Sequence, residues 1–247
     1  GAYAAYSVAQ YFGLPLVAGL LVSILAGAAI GAATHLFIVR FMLSSRAFET
    51  NVMVATAGLA ILLEDIVLKI YGAYPYAQPV RLEGAFRIGE VAVSNQSLAI
   101  TVTAGALIAL VALLLFKTKF GMAIRATALN RNAARLMGIN PTVVYLQVML
   151  LAGGLAGAAG LMISSLSTLS PQMGGDPLLK AFVICVVAGL GNLWGAGISA
   201  LALGLFESAV QYYLGVRFGF PVMLILVILV LIWRPQGLFG QKKVVRL

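Results

Sequence analysis

The chain has 247 residues, of which 62% are hydrophobic and 9% are charged, and its mean hydropathy is +1.05. Because soluble domains are roughly 45 to 50% apolar and 25% charged, this composition excludes a water-soluble globular protein. The formal net charge is +9, but the basic residues lie in the gaps between apolar runs rather than on one water-facing surface. The charge therefore indicates membrane orientation and argues against nucleic-acid binding.

Seven apolar segments approach the length of about 20 residues that a helix needs to cross a bilayer. They cover residues 14–39, 52–71, 98–116, 143–163, 178–193, 198–214 and 220–233. The fifth and seventh are the shortest, so the predicted number of spanning helices carries an error of one. The sequence thus predicts an all-α fold, a polytopic transmembrane helix bundle of about seven spanning helices that forms one domain over residues 1–247.

The basic residues are unevenly divided between the two sides of the membrane. Connections one, three and seven hold most of them, at Arg40, Arg46, Lys117, Lys119, Arg125, Arg131, Arg135, Arg234, Lys242, Lys243 and Arg246. The opposite connections hold Arg81, Arg87, Glu83, Glu90, Asp176, Lys180 and Arg217. By the positive-inside rule the first set is cytoplasmic, so the C-terminus is predicted to be cytoplasmic.

The predicted outer loop, residues 78–97, alternates polar and apolar residues and contains Gly84 and Gly89. This pattern predicts a small β-hairpin. Such a hairpin either docks an outer partner or simply closes the bundle.

Small residues recur at the G-x-x-x-G spacing that allows helices to pack closely in lipid. The pairs are Gly27 with Gly31, Gly153 with Gly157, and Gly191 with Gly195. We expect these glycines to lie at helix contacts.

No set of residues for catalysis can be assembled from this chain. It has a single histidine, His35, and a single cysteine, Cys185. A His-based triad, a zinc site and a disulfide within the chain are therefore excluded. The sequence predicts no metal, no cofactor and no enzyme activity.

Four charged residues fall inside the apolar segments, where each costs about 2.5 to 3.5 kcal/mol unless it is paired or hydrated. Asp65 and Lys69 are four residues apart on one predicted helix, which favours an ion pair. Glu64 and Glu207 are candidates for lining a solute pathway. Glu207 has no local partner in sequence, so it either lines the pathway or holds helices together.

Residues 164–180 read SSLSTLSPQMGGDPLLK, which combines hydroxyl groups with helix-breaking residues. Interrupted backbone at membrane depth borders a cavity or is buried in protein. Pro171, Gly174 and Gly175 are therefore further pathway candidates. A plain outer loop is the alternative.

The predicted cytoplasmic loop, residues 117–141, contains five basic residues and no acidic one. Asn130 can cap a short helix over residues 131–137, and Gly138 suits the turn after it. Ala133, Leu136 and Met137 form an apolar stripe on this helix, whereas Arg131 and Arg135 share another side. Such a helix either docks on a cytoplasmic partner or lies on the anionic inner leaflet.

The stretch GMAIRATALNRNAARLMGIN, residues 121–140, resembles the coupling segment of permeases in branched-chain amino acid ABC importers. Other pieces agree in order along nearly the whole chain: GAYAAY (1–6), VATAGLAILLED (54–65), SPQMGGDPLLKAF (170–182), VVAGLGNLWGA (186–196) and RPQGLFG (234–240). The second apolar segment and the ending resemble the H-type permease more than its M-type partner. Members of the family carry an apolar segment before GAYAAY, and the chain begins at Gly1 without Met, so we expect one more helix before Gly1.

The resemblance implies a multi-pass protein of the bacterial inner membrane that forms the pathway for branched-chain or related amino acids. It implies four kinds of partner: the lipid bilayer, a second homologous permease, two cytoplasmic ATP-binding subunits that carry out the ATP hydrolysis, and an extracytoplasmic solute-binding protein. The residues implied to contact the ATPase are Asn130, Arg131, Ala133, Ala134, Arg135, Leu136, Met137 and Gly138.

Relatives within the same family move urea, amides or sugars, which leaves the substrate open. An ion-coupled secondary carrier is the alternative class, and it would use Glu64, Asp65 or Glu207 as ion or proton sites.

Overall fold

The computed structural model describes residues 1–13, 16–43, 48–79, 84–88, 91–189 and 191–240. They form two compact units, Gly1–Met173 and Gly174–Leu247. The first contains α1 (Ala2–Phe12), α2 (Leu16–Thr34), a π-helical turn (His35–Val39), α3 (Arg40–Met42), α4 (Phe48–Tyr71), β1 (Ala85–Ile88), β2 (Val91–Ser94), α5 (Asn95–Lys117), α6 (Lys119–Leu129), α7 (Arg131–Leu136) and α8 (Pro141–Leu166). The second contains α9 (Gly175–Ala188), α10 (Leu193–Leu214), a 3-10 turn (Val216–Phe218) and α11 (Gly219–Trp233).

Within the described ranges, six helices are long and apolar enough to cross a membrane. They are Val17–Met42, Thr50–Tyr71, Asn95–Lys117, Pro141–Leu166, Leu193–Leu214 and Val216–Trp233. The predicted all-α polytopic bundle is confirmed, with one span fewer than the seven expected. The difference is the segment at 178–193: α9 has only 14 residues. At 1.5 Å per residue it is about 21 Å long, shorter than the hydrocarbon core of about 30 Å.

Glycines set the packing of α2 against α8 in the first unit. A Cβ on Gly27 would collide with the carbonyl of Gly153, and a Cβ on Gly157 would collide with the carbonyl of Ser23. The Ser23 hydroxyl also donates to the carbonyl oxygen of Gly157 at 2.5 Å. Two of the three predicted G-x-x-x-G contacts are therefore confirmed, and they bring two helix backbones together.

An additional helix, α1, packs on α2 and α8 through three buried alanines, Ala2, Ala5 and Ala9. Its Tyr3 ring lies 4.6 Å from the ring of Tyr71 at the end of α4. The sequence analysis did not predict this helix because its 11 residues fall short of a membrane span.

The predicted β-hairpin is present: β1 and β2 are antiparallel, with Ala85 opposite Ser94 and Ile88 opposite Val91. Ser94 then caps α5, since its hydroxyl accepts from the Gln96 amide at 3.3 Å. The predicted charges at Arg81, Glu83 and Glu90, with the side chain of Arg87, lie outside the described residues, as do Arg46, Lys242, Lys243 and Arg246.

In the second unit, α9, α10 and α11 pack around a small apolar core. Its buried members are Val183, Val187, Leu203, Met223 and Val227. The third predicted glycine pair does not join helices here. A Cβ on Gly195 would meet the ring of Phe239, whereas Gly191 has open space around it and a φ of +95°.

Candidate functional site

The predicted loop at 117–141 folds into two helices rather than one. The hydroxyl of Thr118 ends α5 by donating to the Leu114 carbonyl at 2.5 Å, and it starts α6 by accepting from the Gly121 amide at 3.3 Å. Arg125 on α6 donates to the Leu115 carbonyl at 2.7 Å, which folds α6 back on the end of α5. The sequence analysis missed α6 because its cap is a threonine inside a basic run.

The short helix α7 is confirmed, and both of its ends are fixed by local hydrogen bonds. The Oδ1 atom of Asn130 accepts from the amides of Asn132 and Ala133, each at 3.0 Å. At the other end Gly138 has a φ of +82°, and its amide donates to the Arg135 carbonyl at 3.0 Å. Only glycine adopts that backbone conformation without strain, so Gly138 sets where the helix stops.

Arg131 anchors α7 to the helices behind it. Its guanidinium lies over the rings of Phe48 and Tyr145, with centroid distances of 5.5 and 5.7 Å, and Nη2 donates to the Leu43 carbonyl at 3.0 Å. Arg131 and Arg135 are four residues apart on one helix, but Arg131 is partly buried. Cation–π contacts and an inward hydrogen bond outweigh solvation of this arginine, whereas Arg135 remains exposed.

The opposite side of α7 is open and apolar. Leu136 is 89% exposed and Met137 is 82% exposed, and Ala133 is exposed beside them. Ala134 is buried against the first unit at 4% exposure. The helix thus has one face fixed to the bundle and a second, apolar face that no described residue covers.

Glu207 pairs with a lysine that is distant in sequence and lies on the preceding helix. Lys180 Nζ on α9 lies 2.6 Å from Glu207 Oε1 on α10, and Gln211 Nε2 donates to the same oxygen at 3.0 Å. Glu207 is 13% exposed and Lys180 is 39% exposed. The folding of α9 against α10 brings Lys180 to Glu207.

The charged residues Asp65 and Lys69 of α4, unlike Glu207 and Lys180, do not pair with each other. Asp65 and Lys69 are both exposed, and no ion pair joins them in the described chain, so the predicted pair is not formed. Glu64 is partly exposed on the same helix. Glu64 and Glu207 belong to different compact units.

The segment at 164–180 is partly core and partly turn. Ser164 and Ser165 are buried, and their hydroxyls accept from Gln78 at 2.9 Å and from Gln96 at 2.7 Å. The following residues form a turn that includes Pro171 and exposed Gly174, and α9 begins at Gly175. Sequence reasoning missed the two glutamines, because nothing local marks a residue that bonds 69 or 86 positions away.

No group of three His, Cys, Asp or Glu side chains that could hold a metal occurs in the ranges described. The features that remain are a capped helix with an open apolar face, a partly buried ion pair and a membrane helix with exposed charges. An importer permease and an ion-coupled carrier are the two classes of transporter that the sequence left open.

Comparison with known proteins decides between these classes. The family model for the permease component of branched-chain amino acid transport systems matches residues 1–233. The chain belongs to this family. The resemblance drawn from the sequence motifs is confirmed, and this permease is a multi-pass membrane protein. No solved structure matches it.

Three curated relatives resemble the permease. It is 30% identical over 264 residues to the "Probable branched-chain amino acid transport permease protein LivH" of Methanocaldococcus jannaschii, covering 100% of this chain and 82% of the relative. It is 29% identical to the high-affinity permease protein LivH of Escherichia coli, covering 78% of this chain and 64% of that one. It is 27% identical to BraD of Pseudomonas aeruginosa, with the same coverages of 78% and 64%. The match thus spans slightly less than two thirds of each of these two bacterial relatives.

Proposed function

We propose that this permease forms the translocation pathway for branched-chain or related amino acids in an ABC importer. In this proposal ATP is hydrolysed on two separate cytoplasmic subunits, a second permease completes the pathway and a solute-binding protein delivers the substrate outside. The observation that carries the proposal is α7. This helix is capped by Asn130, lies in a basic segment, and has an apolar face that no described residue covers. The relatives named as branched-chain amino acid permeases support the substrate class.

The contacts of α7 suit a helix that transmits force. Asn130 and Gly138 fix its two ends, so a push on Leu136 or Met137 moves the helix as one body. Arg131 then passes the displacement to Phe48 at the start of α4 and to Tyr145 near the start of α8. Because α8 packs closely along α2, a movement at α7 reaches the helices that cross the membrane.

The small number of charged side chains on the membrane helices supports the proposed roles of the permease and the solute-binding protein. A free amino acid carries two charges, and the described membrane helices offer few charged side chains to replace the water that it would lose. We therefore infer that the solute-binding protein selects the substrate and that the permease admits what is delivered. Exchanging binding proteins between related importers should change which amino acid is taken up, and uptake with unchanged specificity would contradict this inference.

The ion-coupled carrier is the competing function, and the Glu207 contacts weigh against it. A proton or ion site needs a carboxylate that changes state during transport, whereas Glu207 already accepts from Lys180 and Gln211. Membrane vesicles distinguish the two functions. An importer requires ATP and its partner subunits, whereas a carrier needs only an ion gradient.

The direct test of the coupling proposal is the double variant Leu136→Ser with Met137→Ser. Loss of these two side chains should leave the fold intact, since both are more than 80% exposed, but should remove their burial against the ATP-binding subunit. Fully burying such side chains contributes about 1.5 to 3 kcal/mol each, so binding should weaken at least tenfold. ATP-driven uptake of labelled leucine into vesicles that contain the assembled importer should fall as this binding weakens.

The control is Val216→Ser, which removes an apolar side chain of 77% exposure from the other compact unit. Cross-linking gives a second readout. In a Cys185→Ser background, Met137→Cys should form an adduct with the ATP-binding subunit. Normal ATP-driven uptake by the double variant, or the same loss in Val216→Ser, would contradict the role of α7.

A further inference from the structure

A polar cavity lies beside α7 at the predicted cytoplasmic end of α2. It has a volume of about 580 Å³ and is formed by the π-helical turn, α3, α7 and the start of α8. Its polar lining residues are His35, Arg40, Arg135, Asn140 and Thr142. None of these residues contributes to the apolar face of α7, so the cavity is a separate feature of the first unit.

The described lining of the cavity carries positive charge and includes no acidic residue. Arg40 and Arg135 come from different helices, and neither makes an ion pair with any described residue. Two arginines that line one cavity with no described carboxylate among the lining residues form a site suited to an anion, and arginine binds phosphate oxygens through paired N–H donors.

His35 provides an independent indication that something polar occupies the cavity. The residue is 1% exposed, yet neither Nδ1 nor Nε2 has a hydrogen-bond partner in the described part of the chain. A buried imidazole with both nitrogens unsatisfied is costly, so a ligand oxygen beside it would lower the energy.

The backbone conformation at His35 also supports a ligand site in this cavity. Residues His35–Val39 form a single π-helical turn in which the Arg40 amide donates to the His35 carbonyl. Such turns are frequent at functional sites because they shift side chains out of the regular α-helical register. Here the turn separates the buried His35 from Arg40, which is exposed at the mouth of the cavity.

We propose that this cavity binds the phosphate of an anionic phospholipid. Leu36, Phe37 and Phe41 are 45%, 76% and 77% exposed on the same turns as Arg40, so acyl chains can lie along α2 while the headgroup reaches the arginines. Basic pockets between membrane helices at the cytoplasmic side are suited to anionic headgroups. The exposed aromatic surface favours a lipid over a free phosphate ion.

The test is lipid binding by the purified, delipidated permease, measured by native mass spectrometry. Phosphatidylglycerol is compared with phosphatidylcholine of the same acyl chains. The wild type should prefer phosphatidylglycerol, and Arg40→Gln and Arg135→Gln should each reduce its affinity about fivefold. Phosphatidylcholine binding should stay unchanged.

Two controls separate the charge effect from misfolding. Arg217→Gln removes the same charge from an exposed turn in the other unit and should retain the preference. The double variant Arg40→Lys with Arg135→Lys keeps both charges and should retain most of it. Equal affinity of the wild type for the two lipids, or an unchanged preference in the glutamine variants, would overturn the proposal.

A further experiment distinguishes binding of a lipid from binding of a soluble anion. Millimolar inorganic phosphate is added to the delipidated protein, and phosphorus NMR line broadening is measured in the wild type and in the glutamine variants. Little broadening is expected. Strong broadening that depends on Arg40 and Arg135 would overturn the lipid assignment in favour of a free phosphate site.

Discussion

At the scale of single residues, the pair between Lys180 and Glu207 allows a quantitative prediction. Removing one partner leaves the other charge partly buried and unpaired, so Lys180→Met and Glu207→Met should each destabilise the permease. Because the Lys180 side chain is 39% exposed, solvent weakens the pair, and we expect a coupling free energy of only about 1 kcal/mol. Thermal unfolding of the two single variants and the double variant in detergent measures it.

The same variants separate the two roles that the sequence left open for Glu207. If the residue only joins α9 to α10, the double Met variant should recover stability and support normal uptake in vesicles. If Glu207 lines the pathway, the double variant should be stable and still fail to transport. Equal stability of all four proteins would contradict the existence of the pair.

Local signals identified the ends of α7 but not every local side-chain contact. The predicted pair between Asp65 and Lys69 is not formed, and the bond from Gln211 to Glu207 was not predicted. The Asn130 cap and the Gly138 turn follow from neighbouring residues, so spacing alone identified them. The contacts of Arg131 were not predicted because its partners, Phe48 and Tyr145, come from other helices. Lys180 reaches Glu207 across 27 positions, and nothing in the intervening sequence indicates that contact.

At the scale of helices, the α2 and α8 contact makes a second prediction. Gly27→Ala and Gly157→Ala each place a methyl group against the backbone of the facing helix, which cannot move away without separating the pair. Overpacking of this kind costs about 1 to 3 kcal/mol. Thermal unfolding in detergent should show a lower midpoint for both variants.

Gly105→Ala on α5 is the matched control, because a Cβ there has nothing within 4 Å. Replacing a helical glycine by alanine in open space stabilises by roughly 0.5 to 1 kcal/mol, so this variant should unfold at the same or a higher temperature. A lower midpoint for Gly105→Ala than for Gly27→Ala would contradict the packing argument.

Helix prediction succeeded where length and apolar character were sufficient. Six of the seven predicted spans are present, because a membrane helix must be long and almost uniformly apolar. The misses are elements for which that rule gives no guidance: α1 and α6 have 11 residues each, and α9 has 14. The hairpin was predicted from its alternation, since its strands lie outside the membrane helices.

At the scale of the whole molecule, the question is which surface faces lipid and which faces a partner. Thr50–Tyr71 on α4 has no buried residue in its most apolar part, yet the helix carries Glu64, Asp65 and Lys69. The exposed face of α11 in contrast contains no charge over Gly219–Trp233. A charge that faces lipid costs about 2.5 to 3.5 kcal/mol at mid-membrane and less towards the helix end, so these three residues favour a protein contact along α4.

We therefore predict that α4 lies at the contact with the second permease subunit. In a Cys185→Ser background, Ile61→Cys on α4 carrying a thiol-attached photo-cross-linker should be joined to a second permease in native membranes. Ile228→Cys on α11 is the matched control, with 57% exposure against 64% for Ile61, and should remain monomeric because lipid covers it. Reactivity with a lipid-soluble maleimide should show the reverse order. Cross-linking at Ile228 without cross-linking at Ile61 would place the partner on α11 and leave the charges of α4 to be covered in another way.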